Sequence, residues 1–317
     1  LLRKLFSAFI TLFILTTGIT HAQSPSKKEP NKPLTQQDLS ILTGNIQRPN
    51  GLAWFNNTLY TSCSGDWTVY QINLATQSTS QYIYGIRNAH TIYVTEKDKQ
   101  PDIWIPDFQM NALIHINKGS TETVVSDLKG PWGITAIDDN TFAVTSLLTH
   151  RAIAITKSGQ SHDLITKLKS PAGIDSDTNN LYIANSGSSR RAIEWYSIKE
   201  LPQTKDTEAL DSSAESHTLV TGLQNVTGLS LAKDGYLYFS YAIGTRGVVG
   251  RANPAQCQQK GGCNSDDIEI VLYTELAAPL AGLTLSPDMK LYIHSIFSPD
   301  IYWVQLDQEI AASAPSS

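Results

Sequence analysis

The side chains best suited to chemistry are scattered singly rather than gathered in one motif. His90 in RNAHTIYV and His150 in SLLTHRAIAI are candidate general bases, because an imidazole changes charge near neutrality. Asp107, in PDIWIPD, is a carboxylate that could contact a ligand from its turn. Ser, His and Asp are all present, yet no G-x-S-x-G elbow offers a nucleophile. AIGTRGVVG, from Ala242, lacks the lysine and the strand–helix setting of a phosphate loop. Cys257 and Cys263 bracket QQKGG, whose two glycines let the chain double back. That spacing suits a local disulfide in an oxidising compartment, whereas a metal site would want a second Cys or His pair nearby. Cys63, in TLYTSC, is left over and reads as a small buried hydrophobe.

The elements that must position these groups come from internal repetition. Six segments share a turn, a short apolar strand, a polar turn and a strand with an apolar–aromatic pair. They are RPNGLAWFNNTLYTS from Arg48, RNAHTIYV with PDIWIPD from Arg87, GPWGITAIDDNTFAVTS from Gly130, SPAGIDSDTNNLYIANS from Ser170, NVTGLSLAKDGYLYFSY from Asn225 and PLAGLTLSPDMKLYIHS from Pro279. Gly51, Gly133, Gly173, Gly228 and Gly282 recur at one place, which Thr91 takes in the second copy. Alternating third strands such as WTVYQINL and RAIAITK follow, then outer strands such as TETVVSDL and HDLITKL. This is the period-two patterning of half-buried antiparallel sheet. The last copy has only three strands, and DLSILTGNI, from Asp38, is an orphan outer strand at the other end of the chain. Pairing the two closes a ring. The sequence therefore predicts an all-β, six-bladed propeller of four-stranded blades, with an N-terminal strand completing the last blade.

Composition agrees and narrows the partners. A formal charge of -5 provides no basic footprint for nucleic acid. Residues 1–22 have the cationic start, apolar run and small-residue end of a secretory signal peptide, and no Cys follows to anchor a lipid. Residues 23–36 read as a flexible linker, 37–308 as the propeller and 309–317 as a disordered tail. The expectation is an exported monomer, periplasmic or secreted, with no stable membrane anchor.

Propeller geometry says where a site would lie. Turns into each innermost strand, and turns from second to third strands, share the upper face. The channel mouth is then ringed by Asn50, His90, Trp132, Ala172, Thr227 and Ala281, with Asp107, His150, Arg190 and Arg246 on the turns around it. This mixed polar and aromatic set suits a small polar or anionic ligand. His90 and Trp132 stand out, because a smaller residue would satisfy the turn. Two insertions, around KELPQTKDTEALDSSAES from Lys199 and NPAQCQQKGGCNSDD from Asn253, extend the opposite face. They suit a partner surface or a lid, although loops also lengthen cheaply.

The P-x-G-[IL] turns and LY pairs, as in LYIANSGSSRRAIEWYSI from Leu181, resemble the six-bladed superfamily of NHL-repeat and gluconolactonase-like (senescence-marker-like) secreted propellers. The resemblance covers nearly all of the chain after the leader. It implies a ligand-binding or protein-interaction scaffold, or else a divergent lactone hydrolase or a streptogramin-lyase-like enzyme. The hydrolases of this family look like metal enzymes, with calcium held by a Glu, two Asn and an Asp from different blades. Asn50 in RPNGLAW matches their Asn-Gly-Leu turn, but Trp132, Ala172, Thr227 and Ala281 fill the corresponding places. The scaffold reading is favoured and no cofactor is expected; calcium belongs to the hydrolase alternative alone.

Overall fold

The computed structural model describes residues 32–43, 46–214 and 217–306. The expected leader and the 309–317 tail lie outside them. The described residues form six sheets, each a blade of a propeller. Blade 1 runs outward through Pro49–Phe55, Thr58–Cys63, Thr68–Asn73 and Thr79–Tyr84. The innermost strands of blades 2 to 5 are Tyr93–Lys97, Pro131–Ala136, Pro171–Ser176 and Leu229–Leu231. Blade 6 consists of Leu280–Leu285, Lys290–Ser295 and Ile301–Gln305, with Ser40–Thr43 as its outermost strand. Ser40 lies opposite Trp303 and Ile41 opposite Tyr302, so the two ends of the chain do meet in one blade.

Alternation along each strand directs apolar side chains into the wedges between blades, and the core is six such wedges. Tyr60, Val69, Ile103 and Ile105 pack between blades 1 and 2. Leu42, Leu59, Ile72 and Ile301 close the ring where blade 6 meets blade 1, and Cys63 is a buried free thiol in the same wedge. The LY pairs have a physical purpose. The leucine enters a wedge while the tyrosine hydroxyl reaches back to the aspartate of the preceding lower turn: Tyr182 to Asp177 over 2.6 Å, Tyr238 to Asp234 over 2.8 Å. In blades 4 and 5 the pair therefore fixes both strand and turn.

The recurring glycines mark where blades come closest at the axis. A Cβ on Gly133 would stand 2.5 Å from the Ala172 carbonyl, and one on Gly173 would stand 2.6 Å from that of Thr227. Backbone of the next blade occupies the space, so no larger residue fits.

The two insertions are not free loops. Leu210–Asp211, from the first, lies parallel to Ile165–Thr166 as a fifth strand on blade 3. The second forms a short helix, Pro254–Lys260, capped by Asn253 and closed by Gly261 in the left-handed conformation. Cys263 then bridges in parallel to Val220 of blade 4, and the Cys257–Cys263 disulfide ties this return to the helix. Leu34, inside the expected linker, bridges in parallel to Leu272 of blade 5. Blades 3, 4 and 5 thus each receive a parallel strap from a segment belonging to a later part of the ring. This covers edges that would otherwise offer unpaired backbone groups.

Candidate functional site at the channel mouth

The innermost strands carry a bulge at the mouth, with register breaks between Pro49 and Leu52, Pro131 and Ile134, Pro171 and Ile174, and Leu280 and Leu283. The extra residue turns a glycine N–H away from the ladder. A second-strand side chain takes it up and reaches on to the next blade. Gly51 N–H donates to Ser62 Oγ over 3.0 Å, and the Ser62 hydroxyl donates to the Ala89 carbonyl over 2.7 Å. Thr145 joins Gly133 to Ala172, and Ser240 joins Gly228 to Leu280, in the same way. Blades 2 and 4 have Pro106 and Ala184 there and lack this staple.

In blade 6 the staple is a histidine. His294 is fully buried; its Nε2 accepts from Gly282 N–H over 3.0 Å and also lies against the Asn50 carbonyl. Nδ1 has no partner in either tautomer. Burial lowers the His294 pKa, so the ring is neutral. Asn50 is itself buried. Its Nδ2 donates to Asn88 Oδ1 over 2.6 Å, and its Oδ1 has no partner.

His90 and Trp132 are parallel and stacked with centroids 3.4 Å apart, and Phe108 meets both rings edge-on. His90 is half-buried, but its Nδ1 is wholly covered and unpartnered. Desolvation, aided by nearby His294, pushes its pKa down to about 3, so this imidazole carries no charge near neutrality. An aromatic platform thus lies at the mouth, and Asn50, His90 and His294 each carry one covered polar atom without a partner. An unpaired buried polar atom costs on the order of 1–3 kcal/mol, so a partner that supplied the missing bonds would be favoured.

The remaining candidates are engaged elsewhere. The Asp107 carboxylate receives the backbone N–H groups of Arg87, Asn88, Gln109 and Met110, and burial raises its pKa. It orders the turn that presents Asn88 and His90 and has little left for a ligand. The Thr227 hydroxyl donates to the Leu280 carbonyl over 2.7 Å. His150 is exposed and accepts from Ser170 N–H through Nδ1, while Arg246 pairs with Glu275 at 3.4 Å. Arg190 is exposed on its turn, and Ala172 and Ala281 are buried. Sequence reasoning missed Asn88, Phe108 and His294. The last had a signal: LYIHS sets His where the other copies with a staple, TLYTSC, FAVTS and LYFSY, set Ser or Thr.

The oxygen donors do not fit calcium, which takes six to eight oxygens. Asn50 Oδ1 is a single neutral ligand and Asp107 is spent on N–H groups. Among the described residues, no three His, Cys, Asp or Glu side chains gather where they could hold a metal ion.

No model of a protein family matches the sequence, and no curated protein matches it. Solved structures do. A gluconolactonase from Xanthomonas campestris is 15% identical, with 85% of this chain and 89% of that one covered and a TM-score of 0.62. Regucalcin from Agrobacterium tumefaciens, a calcium-binding protein, is 11% identical over 86% of this chain and 94% of its own, with a TM-score of 0.60. A streptogramin B lyase is 15% identical over 84% and 96%, with a TM-score of 0.54. At such identities the likeness is one of fold: the chain is a six-bladed propeller similar to these proteins.

Proposed function

We propose that this protein is an exported, monomeric binding propeller that takes a small, neutral, hydrogen-bonding ligand at the upper channel mouth without a metal. The observation that carries the reading is the set of unpartnered atoms Asn50 Oδ1, His90 Nδ1 and His294 Nδ1 beside the His90–Trp132 stack. A neutral ligand fits better than an anion, because both imidazoles resist protonation. That resistance also supports binding over acid catalysis, since neither ring has a carboxylate partner to raise its basicity. The Cys257–Cys263 bridge supports an oxidising compartment.

A lactone hydrolase is the second reading, favoured by the Asn50-Gly-Leu turn and the gluconolactonase-like fold. A thermal-shift screen of neutral lactones, monosaccharides and planar heterocyclic amides, run in chelator, separates the two. The binding reading expects a ligand that raises the melting temperature of the wild type and not of Asn50→Ala, with no turnover. Lactone hydrolysis that requires calcium would replace it with the second.

A further inference from the structure

The exposed large apolar side chains are concentrated on one face. Trp67, Met110, Leu148, Ile243 and Phe297 stand at the second-to-third turns of blades 1, 2, 3, 5 and 6, and Tyr84 ends an outer strand on the same side. Their exposures run from 38% at Met110 to 68% at Phe297. Among the described residues, only Ile41 and Tyr273 are comparable elsewhere. Turns do not require such residues, since polar ones satisfy them better.

The charges on this face run against the chain as a whole. Its turns expose Arg48, Arg87, Lys169 and Arg190, with Lys129 paired to Asp127 at 3.7 Å and Arg246 to Glu275 at 3.4 Å, although the formal net charge is -5. The lower first-to-second turns instead carry Asp138, Asp139 and Asp177 against Lys99 and Lys233, with Asp98 paired to Lys118, Asp288 to Lys290 and Asp234 buried against Arg251. Cations and apolar groups are also presented together. The Arg87 guanidinium lies 5.3 Å over the Trp67 ring, and Trp67 is 6.4 Å from Tyr84. Arg48 and Phe297 line one cleft of about 540 Å³ between blades 6 and 1.

We propose that the upper face is a peripheral docking surface for an anionic lipid bilayer. The apolar tips sit on separate turns spread around the ring, so a broad, flat partner meets them together, whereas a peptide would need one continuous groove. Tryptophan and tyrosine favour the interfacial region of a bilayer, and the interspersed cations match anionic headgroups. The inference is independent of the ligand at the channel mouth: it rests on exposed turn residues that take no part in that site.

Co-sedimentation with vesicles of phosphatidylcholine alone, and of phosphatidylcholine with phosphatidylglycerol, tests it. The full-length protein should partition onto the phosphatidylglycerol vesicles at low salt, release at high salt and ignore phosphatidylcholine. A Trp67→Ser, Leu148→Ser, Phe297→Ser variant should lose at least about tenfold in partitioning, because apolar insertion and headgroup attraction act together. Arg87→Glu with Arg190→Glu should abolish the preference for anionic lipid while leaving the melting temperature unchanged. Should the apolar variant misfold, quenching of wild-type tryptophan fluorescence by brominated phosphatidylglycerol is the substitute, with quenching expected. No partitioning at low salt, no quenching, or unchanged binding of the charge-reversed variant would overturn the proposal. So would binding of soluble polyglutamate without any binding of vesicles, which would point to an acidic polypeptide.

Discussion

The two halves of the ring solve different problems. Blades 3, 4 and 5 are laced at their outer edges by Leu210–Asp211, Cys263 and Leu34, and two of them meet the channel with Ala172 and Thr227. Blades 6, 1 and 2 have no such straps among the described residues and bring Asn50, Asn88, His90 and His294 to the mouth. On the laced side Thr145 bonds to the Ala172 carbonyl and Thr227 to the Leu280 carbonyl across neighbouring blades. On the other side buried polar atoms remain open. On the binding reading proposed above, the laced arc supplies the rigid frame and the other arc carries the unsatisfied groups that a ligand would meet.

Substitution at the axis probes this division most severely. Gly173→Val should prevent folding, at a cost above about 4 kcal/mol, because its Cβ would meet the Thr227 carbonyl at 2.6 Å. Gly51→Ala, in the open arc, has nearest neighbours at 3.1 Å and should cost only about 1 kcal/mol. Urea denaturation measures both; equal losses would show that the space at Gly51 is no looser than that at Gly173 or at Gly282, whose Cβ would stand 2.7 Å from the Asn50 carbonyl.

Removing the disulfide by Cys257→Ser with Cys263→Ser should cost about 2 kcal/mol, from the loop entropy of a short ring. The loss should be accompanied by faster hydrogen exchange at Thr221, whose N–H donates to the Cys263 carbonyl over 2.9 Å. Loss of ligand binding with unchanged exchange would mean that this strap serves the site instead.

Asp175 provides a pH probe of the laced arc. Its carboxylate receives the Leu231 N–H of blade 5 and the Thr135 hydroxyl of blade 3, and burial raises its pKa to about 6. A raised folded-state value means that the contribution is complete below the unfolded value and is lost as pH rises through about 6. The unfolding free energy from denaturant melts should fall across that window by about 3 kcal/mol, and Asp175→Asn should flatten the profile. A midpoint that instead rises with pH in the wild type would reverse the assignment. The smallest stability effect is expected at Asn50→Ala, within about 1 kcal/mol, because the lost bond to Asn88 is offset by removal of an unpaired oxygen.

Much of this was legible in the sequence, for identifiable reasons. The repeated glycines and LY pairs reported blade number because each is a local requirement, one for close approach at the axis and one for a turn aspartate. The orphan strand at Ser40–Thr43 was visible as the missing fourth strand of the last copy. His90 and Trp132 stood out by being too large for their turns. The parallel straps were not visible, since Leu210, Cys263 and Leu34 pair with residues chosen by tertiary adjacency. Asn88 and Phe108 likewise join the mouth only through the folding of blade 2. Asp107 looked like a ligand because its four N–H partners come from two turns that only the fold brings together.

Calorimetric titration of a ligand from the neutral panel, in chelator, at mildly acidic and mildly alkaline pH, tests the central claim most directly. The account predicts equal affinity at both pH values, because His90 stays neutral throughout, and no heat of binding with Asn50→Ala. Binding that appears only with calcium, or that follows protonation of an imidazole, would contradict it.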